Sequence, residues 1–307
     1  SGNEQEPLHQ IKKNEEFELV KRAKMDEKSK RPFSSVKSRN SSVSPLIRAI
    51  RRGSSSTSFV LQKINSNNSL DIRETDNFQR NVFHYAVSKP DTLIRLLKQT
   101  ETKADVQEAL CQADNEGETP VHRAAATASI KSLEILFEYD KSLMKLKTST
   151  RKRSVLHMAV RSKSVVAVKF VLNKIPELAN CLDSMSQTPV HYAASQKQTS
   201  ILQLLISKGC ETTEMDANDQ LPIHIAASKG LRNTVELLLR EDPDIVDAVD
   251  NADQSPLLLA SKHGFSNVAS FLLLKNADYK LKDKSGLTAF DWAVRRPSPD
   301  VVQVFLE

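Results

Sequence analysis

Long apolar runs are missing from this 307-residue chain. None approaches the ~20 residues that a bilayer-spanning helix needs, and no signal-peptide pattern opens the sequence. Both absences argue against direct membrane insertion of this chain. Cysteine is scarce. Cys111, Cys181 and Cys210 are odd in number and widely spaced, so they offer neither a disulfide framework nor a zinc set and point to a reducing compartment. Cys111 and Cys210 are expected to act as small apolar residues. No two histidines or cysteines stand at the close spacing of a single-chain zinc site. Nucleophile elbow, phosphate-binding loop and Cys–His pairing context are also absent. The sequence therefore offers no catalytic residue, no metal site and no cofactor site, and the expectation is a protein that is not an enzyme.

Charge is unevenly placed. Residues 1–53 hold 13 Lys or Arg against 7 Asp or Glu, and the remainder holds 31 of each. The net charge of +6 thus belongs to the head. A neutral remainder without a groove-reading motif argues against nucleic acid as a partner.

What the chain does contain is a repeated block. Thr188-Pro189-Val190-His191-Tyr192-Ala193-Ala194 recurs as Thr119 to Ala125 and Leu221 to Ala227. Looser copies are Asn81 to Val87, Ser154 to Val160 and Ser255 to Ser261. Aligned on His84, His122, His157, His191 and His224, the series begins at Ile47 and continues through Leu258 and Asp291. The steps run from 33 to 38 residues, a period that signals stacked supersecondary units. Thr or Ser before Pro starts a helix, because the hydroxyl caps a free N–H and Pro at the first helical position loses no bond. A second, more apolar helix follows a break, as in Ile201 to Ile206 and Val235 to Leu239. One helix pair cannot bury that face, whereas stacked pairs can.

The pattern resembles the ankyrin repeat, most closely at Asp114-Asn115-Glu116-Gly117-Glu118-Thr119-Pro120-Val121-His122. The resemblance implies an all-α solenoid of about eight units over 44–307, each a β-turn plus two antiparallel helices, with the first and last degenerate. It also implies that the repeat histidines are structural, bonding between the helix start and the next turn. The turn glycine survives at Gly117 and Gly286 but is Gln79, Lys152, Ser186, Asp219 and Asp253 elsewhere. Such turns form at some cost.

The head, 1–43, reads as a basic, serine-rich and mostly disordered segment, with Ser1 and Gly2 as a tag-cleavage scar. Ser41 and Ser54 follow basic residues as kinase substrates do, and Ser44 precedes Pro45. These are candidate phosphosites, beside the plainer reading of a solvated linker. Two lengthened loops are expected, at Asn65 to Ser69 and Thr100 to Gln107. The turn Thr150-Arg151-Lys152-Arg153 is basic among acidic ones. The chain stops inside an apolar helix, and we expect a longer parent protein.

The residues four and five past each histidine position form a basic ladder. Arg51, Arg52, Lys89, Arg161, Lys229, Lys262, Arg295 and Arg296 occupy half of the sixteen positions, and no acid does. In ankyrin-like arrays this end of the first helix faces the concave groove, so the resemblance implies a groove for a protein partner, with Tyr85 and Tyr192 as anchors. An acidic or phosphorylated segment suits such a stripe. The competing explanation is that cations favour helix C-termini. The expected role is a non-catalytic interaction or scaffolding module of a cytoplasmic protein, the nucleus being the other compartment. Alternatives are the cytoplasmic array of a membrane cation channel and the ankyrin part of an enzyme such as a calcium-independent phospholipase, which Val82 to Val87 resembles. Oligomeric state is left open.

Overall fold

A computed structural model describes residues 45–52, 72–99, 102–296 and 299–306. These fall within the unit Val43–Glu307. The expected head, Ser41, Ser44, Ser54 and the 65–69 loop lie outside the described residues.

Sixteen α-helices occur among them and no extended strand. α1 is Pro45–Arg52, and α2 (Val82–Ala86) pairs with α3 (Pro90–Gln99). α4 (Lys103–Cys111) follows. The regular pairs are α5 (Pro120–Ala126) with α6 (Ile130–Tyr139), α7 (Val155–Arg161) with α8 (Val165–Lys174), and α9 (Pro189–Ala194) with α10 (Ser200–Ser207). α11 (Pro222–Ser228) pairs with α12 (Arg232–Glu241), α13 (Pro256–His263) with α14 (Ser266–Leu274), and α15 (Ala289–Arg295) with α16 (Pro299–Leu306). First helices pack on the first helices of neighbouring units. Small residues permit this approach: Ala124, Ala125, Ala193, Ala194, Ala226 and Ala227 are all buried.

α4 corrects an expectation. Residues 103–111 are helix rather than loop. Thr102 caps Asp105 N–H, and Val106, Ala109 and Leu110 fall on one buried stripe, the i, i+3, i+4 spacing of an amphipathic helix. That stripe packs toward α5. Cys111 at its end is exposed, contrary to expectation, while Cys210 is buried. Cys111 lies one residue, about 100°, past Leu110 and so falls off the stripe.

The turns carry a common device. Asp76, Asp114, Asp183, Asp216, Asp250 and Asp283 are buried. One oxygen of each accepts the N–H groups two and four residues on, as Asp216 does from Asn218 and Gln220 at 2.8 and 3.1 Å. This closes the turn with φ near +55° at the position where an ankyrin-type turn has glycine. Gln79, Ser186, Asp219 and Asp253 hold φ between 55 and 57°, and Lys152, whose turn is closed by Thr148 Oγ1 accepting Arg153 N–H at 2.9 Å, holds 53°. The left-handed region costs a non-glycine residue ~1 kcal/mol or more, so each turn is held by its neighbours. Tips are tied in sequence: Asn115 N–H donates to Phe78 O, Ser149 to Gly117 O, and Ala217 to Met185 O, all within 3.0 Å.

The last unit leaves its inter-unit face open. The position just before the histidine is at most 1% exposed in Phe83, Val121, Leu156, Val190, Ile223 and Leu257 but 37% exposed in Phe290. Val160 is fully buried, whereas Val294 at the same repeat position is 56% exposed.

Candidate interaction groove

The repeat histidines lie beneath the ladder and fix its first helices. All five are buried. Nε2–H donates to a carbonyl of the next turn: Glu118 O, Leu146 O, Gln187 O, Gln220 O and Ala248 O, at 2.9–3.1 Å. Nδ1 accepts the backbone N–H of the helix-capping residue at 3.0–3.3 Å. Both nitrogens are therefore engaged and neither is free for a metal. Burial drives the pKa of His84, His122 and His157 down to about 4, and lowers those of His191 and His224. Among the described residues no cluster of His, Cys, Asp or Glu could hold a metal ion.

Ladder members divide into two sets. Four are engaged within the array. Arg51 stacks over the Tyr85 ring at 5.5 Å and Lys262 over Trp292 at 4.6 Å. Lys89 Nζ donates to Ile50 O of the preceding unit, just as Gln196 donates to Val160 O at 2.7 Å. Arg161 reaches Glu118 at 3.8 Å while remaining 44% exposed. Arg52, Lys229, Arg295 and Arg296 are exposed; Arg295 interacts electrostatically with Asp291 one turn back, and the other three face no carboxylate among the described residues. Lys229 lies on the rim of an open cavity of about 370 Å³.

The two tyrosines are half-buried rather than free anchors. Tyr192 OH donates to Asp183 at 2.7 Å and accepts from Arg153 Nε at 2.8 Å. Tyr85 OH donates to Asp76 at 2.5 Å. Burial raises both phenol pKa values, and the neighbouring carboxylate raises them further.

Sequence reading missed a charged joint beside the ladder. Asp114 holds Arg80 at 3.1 Å and Arg123 at 3.5 Å. Glu118 holds Arg123 at 3.9 Å as well as Arg161. The Glu118 carboxyl pKa is raised, first by burial and then by Asp114 and Glu116. Arg80–Asp114 and Arg161–Glu118 sit 34 and 43 positions apart, so only the repeat alignment could have paired them, whereas Arg123 lies 9 and 5 positions from Asp114 and Glu118. Lys197 and Arg232, which share the Lys229 cavity, were likewise missed, being one and three positions outside the ladder.

Turns closed by a buried Asp, paired helices and a histidine bond to the next turn define an all-α solenoid of stacked helix pairs. A family profile of ankyrin repeats matches residues 46–148, 140–219 and 223–307. The chain belongs to the ankyrin-repeat family. It is also 31% identical, over 168 residues, to the human transient receptor potential cation channel subfamily A member 1, a match covering 54% of this chain and 14% of that protein. No helix among the described residues is long and apolar enough to cross a membrane.

Proposed function

We propose that the array docks an acidic or phosphorylated segment of a protein partner along its ladder, as the regulatory or scaffolding part of a longer cytoplasmic protein. One observation carries this reading. The turn aspartates beside the ladder are buried and bound to backbone, while Arg52, Lys229, Arg295 and Arg296 are exposed and only Arg295 has a described carboxylate, Asp291, acting on it. Helix-end stabilisation alone, worth ~0.3–1 kcal/mol per cation, would be served equally by cations held in local pairs. A row of exposed cations attracts an oppositely charged segment and speeds its encounter.

The test is capture of partners by the tagged chain and by Lys229→Glu/Arg295→Glu/Arg296→Glu, after both show equal helicity and melting. Loss of a specific partner only in the triple variant supports the reading. Equal capture by both overturns it.

A second reading has the relative behind it. The similarity to a cation channel of the transient receptor potential group favours a cytoplasmic array attached to membrane spans. Apolar runs of ~20 residues elsewhere in the parent protein would support it, and a catalytic domain there would favour an enzyme instead.

A further inference from the structure

We propose that the cavity bordered by Lys197, Lys229 and Arg232 is an anion site that takes a phosphorylated side chain of an extended peptide. This rests on the reading of the ladder as a dock for an anionic segment, and it names where the phosphate sits. Three successive units contribute. Lys197 follows α9, Lys229 and Arg232 flank the break between α11 and α12, and Asn267 comes from α14. Asn233 adds a second amide, and no carboxylate lines the cavity. The ammonium groups of Lys197 and Lys229 meet no carboxylate among the described residues. The Arg232 guanidinium carbon lies over the Phe271 ring at 5.3 Å, which orients the group and leaves its in-plane N–H donors for a ligand.

The chemistry favours phosphate over carboxylate. Three cationic donors on separate elements match a group with three terminal oxygens and nearly two negative charges. A planar carboxylate satisfies fewer of them. Size points to a side chain with its flanking backbone, because about 370 Å³ falls in the ~300–1,000 Å³ range of small-ligand sites. Gly230, at φ 69°, brings bare backbone to the lining. A Cβ on Gly230 would meet Phe265 Cδ1 at 2.4 Å.

The experiment titrates the whole chain with a phosphoserine pentapeptide, its unphosphorylated form and inorganic phosphate. Backbone amide signals of Gly230, Asn233 and Asn267 are followed by NMR. Saturable shifts are expected with the phosphopeptide, weaker ones with inorganic phosphate and none with the unphosphorylated form. Lys197→Gln/Lys229→Gln weakens the phosphopeptide by about tenfold, while Lys131→Gln/Lys169→Gln, at exposed sites on α6 and α8, leaves it unchanged. Equal melting of the two double variants separates lost binding from lost fold. Absence of saturable shifts, or equal weakening by both double variants, overturns the site. Binding of inorganic phosphate as tight as that of the phosphopeptide overturns the peptide as ligand. If the site fails while partner capture still depends on Lys229, Arg295 and Arg296, the broader reading stands. If that capture dependence also fails, both fall.

Discussion

Acid should loosen this array through its buried histidines. His84, His122 and His157 have pKa values of about 4 in the folded chain against an ordinary 6.5. The cause is burial, which disfavours the imidazolium. Because the folded value is the lower one, their contribution is complete above pH 6.5 and is lost as pH falls toward 4. At ~1.4 kcal/mol per unit, each histidine can contribute at most ~3 kcal/mol. At pH 5 linkage gives a loss of ~2 kcal/mol each, or ~6 kcal/mol for the three. The raised Glu118 and Glu214 carboxyls act in the opposite sense around their own pKa values, two groups against several. Urea unfolding followed by helicity at pH 7.5 and pH 5 should show a midpoint lower in acid by ~1 M or more. The chain supplies its own control. Unit seven carries Leu258 at the histidine position, with Ser255 Oγ accepting its N–H at 3.3 Å. His157→Leu should reduce the pH slope by the share of one histidine, while destabilising at pH 7.5 because Gln187 O loses its donor. Equal midpoints at the two pH values would refute the reasoning.

Other consequences are more local. Gly230→Ala should cost more than Gly209→Ala in thermal melting: both have positive φ, but the new Cβ strikes Phe265 only at 230 and meets nothing within 4 Å at 209. The second change should cost ~1 kcal/mol and the first at least twice that. Asp219→Gly should stabilise by ~0.5–1 kcal/mol, since Asp219 is exposed and holds φ 55°; a lower melting temperature would contradict this. Val160→Thr should destabilise by ~1–3 kcal/mol through a buried hydroxyl, whereas Val294→Thr should leave melting unchanged, because Val294 is 56% exposed.

Much of the fold was legible in the sequence because its signals are local and recur. The Thr-Pro-x-His block marks both a helix start and the reach to the next turn. The register it sets places Gln79, Lys152, Ser186, Asp219 and Asp253 at the left-handed turn position, although none is glycine. Helix α4 was missed despite a readable signal. Its cap at Thr102 and its stripe of Val106, Ala109 and Leu110 fall in what looked like a lengthened loop, outside the repeat register. The ladder was legible as a row of residues but not as a set of contacts. Whether a cation is engaged depends on what the neighbouring unit presents: a carbonyl at Ile50, a ring at Trp292, a carboxylate at Glu118. Those partners lie about one repeat or more away, and their reach is set by three-dimensional stacking rather than by spacing. Cys111 was misplaced for the same reason as α4, since only that helix puts it off the stripe of Val106, Ala109 and Leu110.

The most direct test of the account is the salt dependence of partner binding. The captured partner segment is titrated against the wild-type chain and against Lys229→Glu/Arg295→Glu/Arg296→Glu between about 50 and 300 mM salt. Docking on exposed cations predicts wild-type affinity falling by about tenfold or more across that range, with weak, nearly salt-independent binding by the variant. Wild-type affinity that holds constant with salt would contradict the claim that the ladder is what the partner meets.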